Sequence, residues 1–184
     1  MASNTVRTDL ILSQSTQIAL IHAPLAAVDI ADWLLHLPDA EYQRCAPPDH
    51  KAAGYTTTDD GRPMSINVEM IGTSLLIQHY VAEIHEKDHC HMVSLSDVLT
   101  PQGWTTVQVI WDLSVRAVDE RTCEYTNAIT GHPTTGFLDF IAAGGVTFEA
   151  AAAQRQAEIS DHNARETPLF AASLERMALA SPAR

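Results

Sequence analysis

The sequence predicts an α+β fold in which a curved antiparallel sheet wraps a long C-terminal helix. Three observations carry this. Between Ser65 and Thr130 the chain runs in consecutive strand-like segments joined by short turns, the pattern of an antiparallel meander. From Gly136 to about Ala180 the texture is helical, with Ala150 to Ala153 as strong helix material. Ahead of both stand one short strand and one short helix.

In chain order, residues 1–15 are mostly polar and are expected to be loose. Gln17 to His22 reads as a strand that Ala23-Pro24 ends. Leu25 to Leu37 has apolar residues at helical spacing (Leu25, Val28, Ile30, Trp33, Leu34, Leu37), and Pro38 stops it. Asp39 to Tyr55 has no clear period and reads as loop, with a turn of helix at Ala40 to Gln43. Ser65 to Met70 and Ser74 to Ile84 flank Ile71-Gly72-Thr73, a hairpin connection. Cys90 to Val98 is the next strand, and Pro101-Gln102-Gly103 turns the chain. Trp104 to Val118 places Val107, Val109, Trp111, Leu113, Val115 and Ala117 on one face. After a turn at Asp119-Glu120, Thr122 to Thr130 forms the last strand. Gly131 to Gly136 breaks the pattern. Gly144-Gly145 divides a short helix from the long one, and Pro168 is expected to kink or restart the latter.

Composition bounds the function. The 184 residues fit one domain spanning 1–184, and 46% hydrophobic content can fill a sizeable core. Eleven basic against 23 acidic residues give a net charge of −12, which disfavours binding to nucleic acid or to an anionic membrane. No apolar run reaches the roughly 18 to 20 residues of a membrane span. The start shows no basic-then-apolar leader. The three cysteines, Cys45, Cys90 and Cys123, are widely spaced and read as free thiols of a cytoplasmic protein. A homodimer is compatible with such a chain.

The nine histidines raise the question of a metal. His162 and Glu166 stand four apart on the long helix, so they share a face, and Phe148, Ile159, Phe170 and Leu174 turn that face inward. An inward carboxylate needs compensation, which a divalent ion supplies. The alternative is an ordinary His–Glu pair on a half-exposed stripe. Pro47-Pro48-Asp49-His50 offers a histidine on a stiff loop, and Val68-Glu69-Met70-Ile71-Gly72 offers a carboxylate at a strand end. In isolation each reads more simply as exposed. His79-Tyr80 must place one of its two side chains on the inner face. Either can shuttle a proton or bind a phenol oxygen. Tyr125 and Asn127 share a strand face, which reads as a polar lining pair or, more simply, as a half-exposed face. His85, His89 and His91, near Glu83 and Asp112, read as a solvated hairpin tip, with a second metal as the lesser reading. No phosphate loop or nucleophile elbow is present.

Strand, Ala-Pro, Trp-containing helix, meander and long helix together resemble the helix-grip fold of the Bet v 1/START-like superfamily. Within it, Y-Q-x-x-x-P-x-D-H at Tyr42 to His50, V-E-x-I-G at Val68 to Gly72 and H-N-x-x-E at His162 to Glu166 resemble the 2,4-diacetylphloroglucinol hydrolase and phloretin hydrolase family. That resemblance implies Zn²⁺ on His50, Glu69, His162 and Glu166, with Glu83 competing for the strand position; a set of two nitrogens and two oxygens also suits Mn²⁺, Fe²⁺, Co²⁺ or Ni²⁺. It implies hydrolysis of the carbon–carbon bond between an acyl group and a phenolic or β-dicarbonyl moiety. The substrate would be a small phenolic compound or ketone of the acylphloroglucinol kind. Glu69, His79 and Tyr80 would then assist catalysis. The wider superfamily supplies the alternative: a metal-free cavity protein, either a carrier of a small hydrophobic ligand, a polyketide cyclase or a dehydratase.

Overall fold

The computed structural model describes residues 4–180 of the chain. Seven strands form one antiparallel sheet in the order β1-β7-β6-β5-β4-β3-β2. They are β1 (Ser13–Ile21), β2 (His50–Thr57), β3 (Pro63–Ile71), β4 (Ser74–His85), β5 (His89–Thr100), β6 (Gly103–Ala117) and β7 (Cys123–Pro133). The helices are α1 (Ile30–His36), α2 (Asp39–Cys45), α3 (Thr135–Ala143) and α4 (Phe148–Ala180). The arrangement is the helix-grip fold, and the meander from β3 to β7 lies where the alternation places it.

Alternation decides what the sheet buries. On β6 the inward residues Val107, Val109, Trp111, Leu113 and Val115 are buried, while their neighbours are half-exposed. On β3 the inward set is Ser65, Asn67, Glu69 and Ile71. Three of those four are polar, so this end of the sheet lines something other than an oily core.

The structure departs from expectation in four places. Residues 1–3 of the supposedly loose start lie outside the described residues. From there the segment is tied down: Val6 bridges Thr134, Arg7 N–H donates to the Pro133 carbonyl at 2.9 Å, and β1 begins at Ser13. The segment Leu25–Leu37 divides into a 3-10 turn (Leu25–Ala27) and α1. Asp29 caps α1, its side chain accepting from Asp32 N–H at 3.0 Å. The expected loop contains α2 and a whole strand, β2. As an edge strand exposed along most of its length, β2 carries no alternation to read. Finally, of the kink or restart expected at Pro168 the restart is not met: α4 runs through it as one helix of 33 residues.

No single helix among the described residues is long and apolar enough to cross a membrane. The three cysteines are buried and unpaired, as expected of free thiols.

Candidate metal centre

Four side chains from three distant segments meet under α4. His50 opens β2 directly after α2, where Asp49 and His50 N–H groups both donate to the Ala46 carbonyl. Its cross-strand partner is Glu69 of β3, so the two project from the same face of the β2–β3 hairpin. His162 and Glu166 descend from α4 on the same side. All four are buried: His50 4%, Glu69 6%, His162 2% and Glu166 4% exposed.

Their facing atoms are close. His50 Nε2 lies 3.2 Å from Glu166 Oε2 and 3.7 Å from Glu69 Oε2. His162 Nε2 lies 3.3 Å from each of the same two oxygens. A tetrahedral site with ligand bonds of about 2.0–2.1 Å has ligand-to-ligand edges of about 3.3–3.4 Å. The four separations bracket that value. His50, Glu69 and His162 also each bring one donor atom within 4.8 Å of the other two. Glu83, the competitor of Glu69, lies on the outer side of the sheet near His91 with 56% of its side chain exposed.

The surroundings orient each imidazole with Nε2 inward. His50 Nδ1 is 2.7 Å from the Tyr42 carbonyl, which accepts from it. His162 Nδ1 is 2.9 Å from Asp49 Oδ2, which Arg165 Nη2 also contacts at 2.5 Å. A histidine that gives its far N–H to a carbonyl or carboxylate is the usual partner of a metal. Glu166 Oε1 accepts from Asn127 Nδ2 at 3.1 Å, and Asn127 Oδ1 accepts from Trp111 Nε1 at 2.8 Å. Aromatic rings close the walls: Tyr42 stacks on His50 at 3.7 Å, and Phe170 lies 5.6 Å beyond.

Without an ion the cluster compensates itself through protons. Burial alone pulls the His162 pKa down, but Glu166 and then Glu69 outweigh it and raise it to about 11. Burial pushes Glu166 up, and His162 and His50 bring it down to about 2. His162 is therefore cationic between two acceptors, in the place a divalent cation would take. Two buried imidazoles and two buried carboxylates form a nitrogen–oxygen donor set that fits Zn²⁺.

Tyr80 of β4 faces the site, where its hydroxyl accepts from Gln78 Nε2 at 2.9 Å. His79 does not. The pleat turns it to the opposite face of the sheet, where its backbone N–H donates to Ser94 Oγ, and it takes no part in the cavity. His79 as a catalytic candidate is thus withdrawn in favour of Tyr80. Asn127 and Tyr125 are inward and fully buried, not half-exposed. His89 and His91 lie against Asp112 at 3.2 and 2.6 Å on the half-exposed outer face. His132 is structural, its Nδ1 bound to the Leu10 carbonyl at 2.8 Å.

Tyr42 and Asp49 belong to the Y-Q-x-x-x-P-x-D-H segment without a role in the site by sequence, and Arg155 is unmarked there; the structure places all three at the site. Tyr42 is eight residues before His50, and its buried hydroxyl lies beside Glu69, with no well-aligned hydrogen bond among the described residues. Burial and the carboxylates Glu69 and Glu166 hold it, like Tyr80, well above the usual phenol pKa, so both stay protonated. Arg155 is seven residues before His162, a helical spacing that would have revealed it.

One chamber adjoins this centre, and a second shares Leu12, Val107 and Arg155 with the first. The inner one, about 30 Å³, has room for a water or two beside Glu69, Tyr80, His162 and Glu166. The outer one, about 560 Å³, opens between α3, the start of α4 and the ends of β4 and β5, with Phe137, Phe140, Val98 and Val107 in its wall.

No protein-family model and no curated protein matches the chain. Solved structures with the same fold do. The Zhui aromatase/cyclase from Streptomyces sp. R1128 shares 13% identity over 93% of this chain and 98% of that one, with a TM-score of 0.65. The di-domain aromatase/cyclase StfQ of the steffimycin biosynthetic pathway shares 14% over 94% of this chain and 54% of its own, at 0.57. TTHA0849 from Thermus thermophilus shares 12% over 92% and 99%, at 0.52. At such identities the likeness is one of fold.

Proposed function

We propose that this chain is a Zn²⁺-dependent hydrolase that cleaves the carbon–carbon bond between an acyl group and a phenolic or β-dicarbonyl moiety. The observation that supports the metal is the convergence of two Nε2 and two Oε2 atoms, buried and 3.2–3.7 Å apart, from segments as distant as His50 and Glu166; the reaction is taken from the resemblance of the Tyr42 to His50, Val68 to Gly72 and His162 to Glu166 segments. His50, Glu69, His162 and Glu166 would hold the ion. Bound there, it would polarise a carbonyl and lower the pKa of water toward about 7.

The chain's own residues supply the rest. Asp49, through His162, and Asn127, through Glu166, keep the donor atoms aimed. Tyr80 and Tyr42 hold neutral hydroxyls at the inner chamber, each able to hydrogen-bond a phenol or ketone oxygen or to give a proton. In the hydrolysis, hydroxyl from water joins the acyl carbon and a proton joins the departing ring or α carbon. The products are a carboxylic acid and the deacylated phenol or ketone. Glu69, in the wall of the inner chamber, would accept the proton that the water gives up. Trp111, Phe170 and the buried aromatic walls keep bulk water out.

A second reading has its own support. The fold is shared with the aromatase/cyclases Zhui and StfQ, and the 560 Å³ outer chamber is large enough for an aromatic or polyketide-like ligand. On this reading the chain is a metal-free cyclase, dehydratase or ligand carrier, and the histidines and glutamates form an ionic cluster.

Elemental analysis separates the two. The metal reading expects about one zinc per chain that survives dialysis, and release of acetate from monoacetylphloroglucinol or benzoylacetone that stops on chelation. Zinc-free protein that takes up no zinc on reconstitution overturns it and leaves the second reading.

A further inference from the structure

Arg155 faces both chambers. It lies on α4 about 10 Å along the axis from His162 and lines the inner and the outer cavity alike. Only 13% of its side chain is exposed. A guanidinium carries five N–H donors in a planar fork. Among the described residues, the side-chain hydrogen bond Arg155 makes is Nη1 to Glu158 Oε2, at a long 3.4 Å.

Glu158 is itself held from elsewhere. Gln154 Nε2 donates to its Oε1 at 3.0 Å. Gly72, at φ +60° in the β3–β4 turn, leaves room for it: a Cβ there would come within 2.3 Å of Oε1. The carboxylate thus engages one nitrogen of the fork, Nη1, and Glu69 adds an attraction at longer range; Nη2 and Nε have no hydrogen-bond acceptor among the described residues. A mostly buried cation with unused planar donors at the neck of a cavity is costly unless something pairs with it. The chamber before it has apolar walls, and its size is that of a small-molecule site.

We propose that the outer chamber binds a ligand with an apolar body and a planar two-oxygen anion, a carboxylate or the enolate of a 1,3-dicarbonyl, and that Arg155 anchors the anion at the neck. The inference deepens the proposed function by giving the substrate an anionic handle. It rests on that reading for the chemistry at the inner end, though not for binding itself. A ligand so held keeps its apolar body in the outer chamber and turns its anionic end toward the inner chamber that Tyr80 and three of the cluster residues line.

Calorimetric titration tests this with 3-(2-naphthyl)propionate against its neutral amide, each in zinc-loaded and in chelator-treated protein. The acid is expected to bind at least tenfold more tightly than the amide in both preparations, about the worth of one charge-assisted pair. Arg155→Gln should bring the acid to the level of the amide and leave the amide within about twofold of its parent value. Glu158→Gln, which removes the competing carboxylate, should tighten the acid severalfold. Arg155→Lys keeps the charge and loses the fork, so an intermediate preference is expected, and it serves should Arg155→Gln not fold. Benzoylacetone, titrated below and above its own ionisation, distinguishes the anions: an arginine-dependent gain on ionisation with no gain for the acid assigns the enolate. Arg155 is excluded as the anchor if the preference survives Arg155→Gln, if chelation abolishes it, or if no probe binds. A preference that persists in protein unable to bind zinc would leave this site standing and remove the metal reading alone.

Discussion

Removing zinc from the loaded protein should lower its melting temperature by about 10 °C. The ion would join β2, β3 and α4 through four buried side chains, none of which can make that junction in an unfolded chain. A ligand that binds only the folded state stabilises it by mass action, by about 4.1 kcal/mol at a thousandfold excess over its dissociation constant. A chain of this size loses roughly 2–4 °C per kcal/mol, hence a drop of about 8–16 °C. The stripped protein should still fold, because protonated His162 stays paired with Glu69 and Glu166. His50→Ala removes one of four ligands and also the ring stacked on Tyr42, so its metal-free form is itself weakened. The quantity to read is therefore the difference between loaded and chelated protein. In His50→Ala most of that difference should vanish, and hydrolysis with it. Differential scanning calorimetry with and without chelator, alongside zinc analysis of the same samples, measures it. Should parent and variant respond alike to chelator and hold the same zinc, His50 is no ligand.

Three further outcomes are expected. Asp49→Asn keeps the shape but loses the charge behind His162, and should weaken zinc binding 10- to 100-fold in a competition with a chelating dye; unchanged affinity would mean that Asp49 serves Arg165 alone. Glu41, held by Arg44 at 2.5 Å and by Arg176, has burial against it, yet the two arginines lower its pKa from 4.5 to about 2. A depressed carboxylate stabilises the fold above its unfolded pKa and loses that effect as pH falls through its folded one. Glu41→Gln should therefore cost about 1 kcal/mol near neutrality, allowing for the exposed arginines. The gap should close between pH 4.5 and about 2 in urea melts, and a gap that widens on acidification would contradict the pairing. Phe170→Ala, at a position with no exposure among Trp33, Trp111 and His50, should cost about 3–5 kcal/mol; a loss under about 1 kcal/mol would show that this core refills.

Much of this architecture is legible because local rules suffice. Alternation on β6 marks the face that meets α4, and turn residues punctuate β3 to β7, since a strand with one wet face must repeat every second residue. The spacing of His162 and Glu166 marks a shared helix face for the same kind of reason. What local rules do not contain is β2: an exposed edge strand has no buried face to impose a period, so it reads as loop.

With β2 unseen, the relation of His50 to Glu69 stays hidden too. They stand nineteen positions apart in the chain, and only the hairpin register makes them direct neighbours. Likewise Tyr80 and His79 are equal by sequence. The pleat, fixed by which face packs against α4, sends Tyr80 inward and His79 out. Residue type and periodicity thus determine the fold class and name the residues able to bind a metal. Their meeting is decided by strand pairing, because long-range contacts depend on register, and a shift of one residue would turn every side chain of β3, Glu69 included, to the other face.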